Sequence, residues 1–306
     1  MRKYILRRLF LMVPVILGVY TIVFMIIHFI PGDPVDLILG ETARPSDREF
    51  LRQELGLDKP VLDQYVSSML RAARGDMGRS LHTNQPVLTT ILKRVPATVE
   101  LTIGAMIVAV LIALPLGIIA ALKQYSYFDN GSMFFALLGI SMPNFWLGPL
   151  LIILFSIKLG WFPVSGRGGI EYLILPAITL GTALAAILTR MIRSSLLEVK
   201  KEDYITFARA KGLREVLVIG KHALSNALIP VVTIMGLQFG ALLSGSIITE
   251  TIFSWPGIGR LTIQAIQTRD YPLVQGCVLV LALSYVLINF LTDLVYGFID
   301  PRIRYE

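Results

Sequence analysis

The amino-acid sequence predicts an all-α integral membrane protein with six transmembrane helices. Hydrophobic residues make up 55% of the 306 residues and charged residues only 16%, and the mean hydropathy is +0.69. A soluble globular domain carries more charge and less apolar surface than this. The apolar residues fall in separate runs long enough to cross a bilayer, and most lysines and arginines lie on one side of these runs.

The first predicted span covers residues 9–30 and follows four basic residues at the N-terminus. Its apolar run is longer than the core of a signal peptide, and it ends in Pro-Gly-Asp-Pro instead of a small-residue cleavage site. Pro143 and Pro149 remove backbone donors from the third span and should kink it. The other predicted spans cover residues 99–122, 131–158, 174–192, 229–250 and 273–297.

The distribution of basic residues predicts that both termini are cytoplasmic. Fifteen lysines and arginines lie in residues 1–8, 123–130, 190–226 and 302–306, against four in residues 158–173 and 251–272. The expected order is a short N-terminus with the first helix (1–30), an extracytoplasmic helical lobe (31–98), a core of five spans (99–297) and a cytoplasmic tail (298–306). Within the core, we expect a cytoplasmic loop at 193–226 and an external re-entrant loop at 250–272.

Several classes of function are disfavoured by the sequence. The net charge of +7 follows from topology, so it does not indicate nucleic-acid binding. The three histidines lack metal-ligand spacing, and one cysteine cannot form an intrachain disulfide. The chain has no phosphate-binding loop and no protease or hydrolase motif, so we expect neither ATP hydrolysis nor any other enzymatic activity, and no bound cofactor or metal.

A transport role remains, in one of two forms. A stand-alone secondary carrier usually shows membrane-embedded charges or two internal repeats, and neither is evident here apart from Asp293 in the sixth span. Six spans are also few for enclosing a polar path, which favours a second subunit. Polar residues inside the spans are candidates for lining such a path or for bonding between helices. They are Asn144, Gln238, Ser244 and, at the outer end of the fifth span, Glu250. Gly236 and Gly240 flank Gln238 at a spacing that allows close helix approach.

The loop at 193–226 is basic and amphipathic, with short helices predicted on both sides of Gly212. The apolar side is expected to hold Leu196, Leu197, Val199, Tyr204, Phe207 and Ala208. The solvent-exposed side is expected to hold Lys200, Lys201, Arg209, Lys211 and Arg214. We expect a side chain at position 212 to collide with its surroundings. From periodicity alone, an anchor for anionic lipid headgroups explains this pattern as well as a docking helix does.

The chain resembles the inner-membrane permeases of ATP-binding-cassette (ABC) importers, in their peptide/nickel branch. The resemblance covers essentially the whole length. Its motifs are PGDP at 31–34, LGLDKP at 55–60, SMPNFWLG at 141–148, ILPAITLG at 174–181, DYITFARAKGL at 203–213, HALSNALIPVVT at 222–233, ETIFSWPGIGR at 250–260, RDYP at 269–272 and DPRIR at 300–304. The Glu-Ala-Ala start of the general permease pattern is replaced by Thr206, Phe207 and Ala208, and the later Gly212 is retained, as is typical of this branch.

This resemblance implies the type I ABC importer permease fold in a bacterial cytoplasmic membrane. It implies partners as well: a second, homologous permease in a heterodimer, two cytoplasmic ATPase subunits that bind ATP and Mg²⁺, and an extracytoplasmic substrate-binding protein. The expected cargo is a dipeptide or oligopeptide, with nickel, a nickel chelate or glutathione as alternatives.

The resemblance also assigns two groups of residues. A coupling helix that docks into an ATPase subunit comprises Asp203, Tyr204, Phe207, Ala208, Arg209, Ala210, Lys211, Gly212 and Leu213. An external gate loop comprises Phe253, Trp255, Pro256, Gly257, Gly259, Arg269 and Asp270. The alternative for the second group is a plain short loop with a tryptophan at the membrane interface.

Overall fold

A computed structural model describes residues 2–29, 35, 44–54 and 58–299. The described residues are almost entirely helical, as the sequence predicts. The α-helices are α1 (Arg2–Phe29), α2 (Pro45–Glu54), α3 (Val61–Ala73), α4 (Val87–Leu92), α5 (Val95–Leu122), α6 (Tyr127–Ser141), α7 (Asn144–Leu151), α8 (Ile170–Val199), α9 (Asp203–Ala210), α10 (Glu215–Leu217), α11 (Leu224–Gly245), α12 (Ile247–Ile252), α13 (Ile258–Gln267) and α14 (Tyr271–Ile299). Two π-helical segments, Ile152–Lys158 and Val218–Ala223, follow α7 and α10.

Among the described residues, five helical stretches are long and apolar enough to cross a membrane. They are Arg7–Met25, Val87–Leu122, Ile170–Val199, Glu215–Ser244 and Tyr271–Leu294. The pair Tyr127–Ser141 and Asn144–Lys158 makes a sixth span if it is counted as one, but its halves are bent by 101°. The third predicted span is therefore broken and not continuous.

The break in the third span has a direct cause in the sequence. Pro143 precedes α7 in an extended conformation, with φ −65° and ψ 139°, and it has no backbone N–H to continue the helix. Pro149 lies inside α7, and the chain continues as a π-helix from Ile152. The predicted kink is confirmed at Pro143, and it is sharper than a kink within one helix.

The chain is divided into two compact units. The larger unit contains residues 99–255 and the chain from Tyr285 onward, and the smaller unit contains residues 2–98 and 256–284. Within the smaller unit, α2 and α3 lie in the stretch between the first two spans where a helical lobe is expected, whereas α4 begins the span Val87–Leu122. Three motifs lie wholly or partly outside the described residues, namely PGDP at 31–34, the first half of LGLDKP at 55–60 and DPRIR at 300–304.

In the larger unit, α8 packs against α6 and α11. Small residues allow its close contacts. A Cβ atom on Gly181 would lie 2.8 Å from the backbone oxygen of Ala105 in α5, which is too close for any side chain. Gly236 and Gly240 of α11 lie against α14: a Cβ atom on Gly236 would overlap Thr292, and one on Gly240 would lie only 3.3 Å from Tyr285. The predicted close approach at these two glycines is confirmed.

Candidate functional site

The helix α9 lies in the predicted cytoplasmic loop, and one of its faces is held firmly by the rest of the larger unit. Ile205 is fully buried and Ala208 is 8% exposed. Both belong to an apolar cluster, which we call the loop cluster, whose other buried members are Ala121, Leu196, Val218, Ile219, Ala223 and Ala227. These residues come from α5, α8, α11 and the π-helical segment, so any displacement of α9 acts on three long helices.

Next to this buried face, α9 carries apolar side chains that are exposed. Tyr204 is 41% exposed and Phe207 is 62% exposed, and Leu213, just beyond the helix, is 39% exposed. Tyr204, Phe207 and Ala208 share one side of the helix as predicted, but only Ala208 is covered together with Ile205, and the two aromatic side chains stay exposed. All other residues assigned to the coupling helix are exposed, namely Asp203, Arg209, Ala210, Lys211 and Gly212.

Gly212 ends the short helix in a left-handed conformation, with φ +77°. A Cβ atom there would meet nothing within 4 Å, so the expected collision is wrong. Glycine is favoured by its backbone conformation, which L-amino acids with a side chain rarely adopt. The turn brings Arg209 next to Glu215, with 2.8 Å between the guanidinium Nη2 and the carboxylate Oε1. This hydrogen bond raises the pKa of Arg209, and because both groups are exposed the pair adds little stability.

A second contact fixes the orientation of α9. The Asn226 side-chain amide donates to the Tyr204 hydroxyl oxygen at 2.8 Å and to the His222 backbone oxygen at 3.1 Å. Asn226 lies in α11, within the motif that follows the loop. Sequence reasoning did not assign a contact to Asn226, because a pairing across 22 residues has no periodic signal.

A partly buried ion pair lies elsewhere in the larger unit, between the start of α6 and the end of α8. Arg193 donates to both carboxylate oxygens of Asp129, at 2.6 and 2.8 Å. The Asp129 side chain is 3% exposed and also accepts from the Tyr125 backbone N–H. Sequence analysis missed this pair, because the two residues are 64 positions apart and each is common in a cytoplasmic loop.

The predicted gate loop begins with two buried aromatic residues of the larger unit. Phe253 and Trp255 are almost completely buried. The Gly166 N–H donates to the Phe253 backbone oxygen at 2.9 Å. Arg167 lies over the Trp255 ring, 6.0 Å from its centroid, and pairs with Glu100 at 2.6 Å. Burial of Trp255 disfavours the alternative of a tryptophan at the membrane interface, which would contact lipid.

The rest of that loop belongs to the smaller unit, where Asp270 has a structural role. Its buried carboxylate accepts hydrogen bonds from the Ser80 hydroxyl and from the backbone N–H groups of Leu81 and Leu273. Arg269, just before it, is exposed and left-handed, with φ 56°. Pro256 is half-buried, and Gly257 and Gly259 are buried. Asp270 therefore ties the loop at 80–81 to the start of α14.

The four candidate path residues all lie in the larger unit. Asn144 and Gln238 are half-buried. The Ser244 hydroxyl donates to backbone oxygens of its own helix, at 3.1 Å each. Glu250 lies in the short helix α12 and not in the long helix α11. It is fully buried and accepts a hydrogen bond from the Ser246 hydroxyl at 2.9 Å. Ser244 and Glu250 thus have hydrogen-bond partners close by in the chain.

An apolar cavity of about 290 Å³ opens in the same unit. Its walls come from α5, α11 and α14, and it lies beside the contact between Gly236 and Thr292. None of the four candidate path residues lines this cavity.

Comparison with known proteins gives a consistent family. Residues 113–305 match the family described as binding-protein-dependent transport system inner membrane component, and residues 1–102 match its N-terminal family. The chain is 48% identical to the dipeptide transport system permease protein DppB of Alkalihalophilus pseudofirmus and 45% identical to the glutathione transport system permease protein GsiC of Escherichia coli K12. Both alignments cover 100% of each chain.

The fold is also similar to a solved structure. The inward-facing MetNI methionine ABC transporter matches with a TM-score of 0.58 and 20% identity, over 69% of this chain and 96% of that chain. At this identity the likeness supports the fold alone. The predicted type I importer fold is confirmed, and the sequence matches support an integral inner-membrane protein that works with ATPase subunits. The chain belongs to the binding-protein-dependent transport system inner-membrane components, the permease subunits of ABC importers, and it is a transport subunit and not an enzyme.

Proposed function

We propose that this chain forms, with a second and homologous permease, the membrane path of an ATP-driven importer of dipeptides or oligopeptides. Two cytoplasmic ATPases bind the ATP and Mg²⁺, and an extracytoplasmic substrate-binding protein delivers the cargo. The names of the relatives support the cargo: proteins 48% and 46% identical over their full lengths are dipeptide and di/tripeptide transport system permeases. In this proposal both termini are cytoplasmic and the membrane is a bacterial inner membrane.

The two-sided structure of α9 carries the proposal. Its inner face is anchored by Ile205 and Ala208 in the loop cluster, whereas Tyr204, Phe207 and Leu213 present apolar surface outward. Exposed aromatic side chains on a short, rigid helix suit insertion into a groove of a partner protein. Arg209, Lys211 and Arg214 surround these anchors and would orient the helix against acidic partner residues.

The same geometry gives a mechanism. When the two ATPases close on ATP, the groove that holds Phe207 moves and carries α9 with it. Because α9 shares the loop cluster with α5, α8 and α11, its movement shifts the inner ends of these helices together. Rigid-body shifts of packed helices are a common way to alternate between two openings. The loop at 250–272 would then act as the external gate, and Asn144, Gln238, Ser244 and Glu250 would border the path.

Glutathione, itself a tripeptide, is the second candidate cargo, and one observation favours it. The alignment with the glutathione permease spans 306 residues, the length of this chain. The alignment with the dipeptide permease of Alkalihalophilus pseudofirmus spans 333, so at least 27 positions of that protein have no counterpart here. A nickel or nickel-chelate cargo belongs to the same branch but lacks such support.

The experiment that separates these cargoes uses the substrate-binding protein. We would purify the transporter with its native partners, identify the binding protein that associates with it, and titrate that protein calorimetrically with dipeptides, glutathione and Ni²⁺. The proposal expects tight binding of dipeptides. Binding of glutathione alone would move the assignment to the second candidate, and binding of Ni²⁺ alone would show that the peptide proposal is wrong.

A further inference from the structure

The helix α3 of the smaller unit has three distinct faces, and one of them is both apolar and exposed. Leu62, Val66 and Leu70 follow one another at intervals of four residues, so they form one stripe along this 13-residue helix. We call them the apolar stripe, and all three side chains are exposed, that of Leu62 by 72%. Single exposed apolar side chains are common on protein surfaces, but a continuous stripe marks a contact with another molecule or with lipid.

A second face of α3 packs against the first span, α1. The Tyr65 ring lies against the rings of Tyr20 and Phe24, with centroids 5.8 and 5.3 Å apart. The hydroxyls of Tyr65 and Thr21 share a hydrogen bond of 2.8 Å. One turn further along α3, the Ser68 hydroxyl oxygen accepts a hydrogen bond from the Tyr20 hydroxyl at 2.9 Å. Tyr20 and Phe24 are both buried, so this contact fixes the position of α3 on α1.

The third face of α3 is polar. Asp63, Ser67 and Arg71 also follow one another at intervals of four residues, and all three are exposed. A row with a carboxylate, a hydroxyl and a guanidinium suits water or lipid headgroups and not hydrocarbon. The helix therefore has the pattern of an element that lies between a polar and an apolar medium.

The contact with α1 places α3 at the depth of a membrane boundary. Tyr20, Thr21 and Phe24 lie within the stretch Arg7–Met25, which is apolar enough to cross a membrane. Tyr20 is five residues from the end of that stretch, or about 7.5 Å along the helix axis. Interfacial amphipathic helices bury their apolar face about 5–10 Å into the boundary between headgroups and acyl chains. A helix of 13 residues is too short to cross the bilayer itself.

The lipid-facing surface of α1 reaches the same depth. In the turns that contact α3, α1 exposes two apolar side chains, Ile22 by 59% and Met25 by 40%. The apolar stripe of α3 thus lies at the height where the first span itself presents apolar surface to the acyl chains. A water-soluble protein would have to enter the hydrocarbon to cover the stripe, whereas lipid is already present there.

We propose that α3 is an interfacial helix whose apolar stripe inserts among the acyl chains of the membrane lipids. Asp63, Ser67 and Arg71 then lie among the headgroups and water. The choice of leaflet rests on the proposed function: because the N-terminus is cytoplasmic there, the C-terminal end of α1 and the adjoining α3 belong to the outer leaflet. Part of the lobe between the first two spans is therefore embedded in the membrane surface and does not project wholly into the extracytoplasmic space.

The test measures lipid contact along α3 in the complete transporter, reconstituted in lipid nanodiscs. Leu62→Cys, Val66→Cys and Leu70→Cys each carry a fluorophore on the apolar stripe, and Ser67→Cys is the matched control on the polar face. The unsubstituted transporter, in which Cys277 of this chain is fully buried, gives the background. Quenching is measured with spin-labelled phospholipid and with iodide, each with and without the substrate-binding protein. ATP hydrolysis reports whether each variant is assembled.

Spin-labelled phospholipid should quench the labels at 62, 66 and 70 several-fold more strongly than the label at 67, and iodide should show the reverse order. Strong quenching of the stripe by iodide would overturn the inference, because the stripe would then face water. If that iodide quenching disappeared when the binding protein was added, the stripe would belong to that protein. Protection of the stripe from both quenchers would also overturn the inference and assign the stripe to the second permease.

A second pair of variants tests the same inference without a label. Val66→Asp and Ser67→Asp each place a carboxylate at one of two exposed neighbouring positions. Substitutions at water-exposed positions are nearly neutral, but a carboxylate among acyl chains is unfavourable. Val66→Asp should therefore lower the melting temperature in nanodiscs, whereas Ser67→Asp should stay close to wild type.

Equal melting temperatures for Val66→Asp and Ser67→Asp would contradict the insertion of the stripe. In every such negative case, dipeptide uptake by the wild type that depends on ATP and on the binding protein would leave the proposed function intact. Lipid quenching of the stripe in a transporter without such uptake would refute the proposed function alone.

Discussion

Truncation of Phe207 to alanine is predicted to uncouple the permease from its ATPases without unfolding it. The side chain is 62% exposed in this chain, so its loss should change the free energy of unfolding by no more than about 0.5 kcal/mol, as for other surface positions. If the same ring fills a groove of an ATPase, its loss should cost about 2 kcal/mol or more of binding free energy. That corresponds to about a 30-fold weaker association.

The assay compares ATPase affinity, ATP-driven uptake and thermal stability for three variants in the same lipid nanodiscs. Tyr127→Ala is the matched control, because it removes a 96% exposed aromatic ring that lies outside the predicted coupling helix. Ile205→Ala empties a fully buried site and should cost about 2–5 kcal/mol of stability. Phe207→Ala should lose affinity and uptake but keep its melting temperature. Affinity and uptake equal to those of Tyr127→Ala would refute the assignment of α9.

Three further changes test other parts of the account. Gly212→Ala should reduce uptake and cost about 1 kcal/mol of stability, because residue 212 has a φ of +77°. Gly212→Asn should lower the stability less. Equal melting temperatures for the two variants would contradict the conformational argument. Gly236→Ala should lower the melting temperature because the added Cβ overlaps Thr292. Adding Thr292→Ala to this variant should partly restore the melting temperature. No restoration would show that this contact is not the cause. Asp129→Asn should cost about 2 kcal/mol because it removes the negative charge that faces the partly buried Arg193. A melting temperature like that of wild type would contradict the structural role of the pair.

The features predicted correctly from the sequence are those with a local cause. Long apolar runs locate the spans, because a helix must cover the hydrocarbon thickness by itself. Pro143 predicts the break in the third span, since a missing donor acts on its own helix. Gly212 likewise marks the end of α9, although the reason is its backbone angle and not a lack of space.

The features that sequence analysis missed depend on contacts between distant parts of the chain. The burial of Ala208 follows from the loop cluster, whose members span residues 121–227. A short amphipathic segment does not reveal which part of its apolar side will be covered. Burial of Trp255, the pair of Asp129 with Arg193, and the bond from Asn226 to Tyr204 have the same origin. Each needs the tertiary structure, because no repeat or spacing in one sequence identifies the partner.

The most direct test of the central claim is dipeptide uptake into proteoliposomes. Vesicles that contain both permeases, the two ATPases and the binding protein should accumulate labelled dipeptide only when ATP is present. Vesicles that contain the permeases alone should accumulate none, even with an imposed proton or sodium gradient. Gradient-driven uptake by this chain without ATPases would contradict the account and identify a secondary carrier.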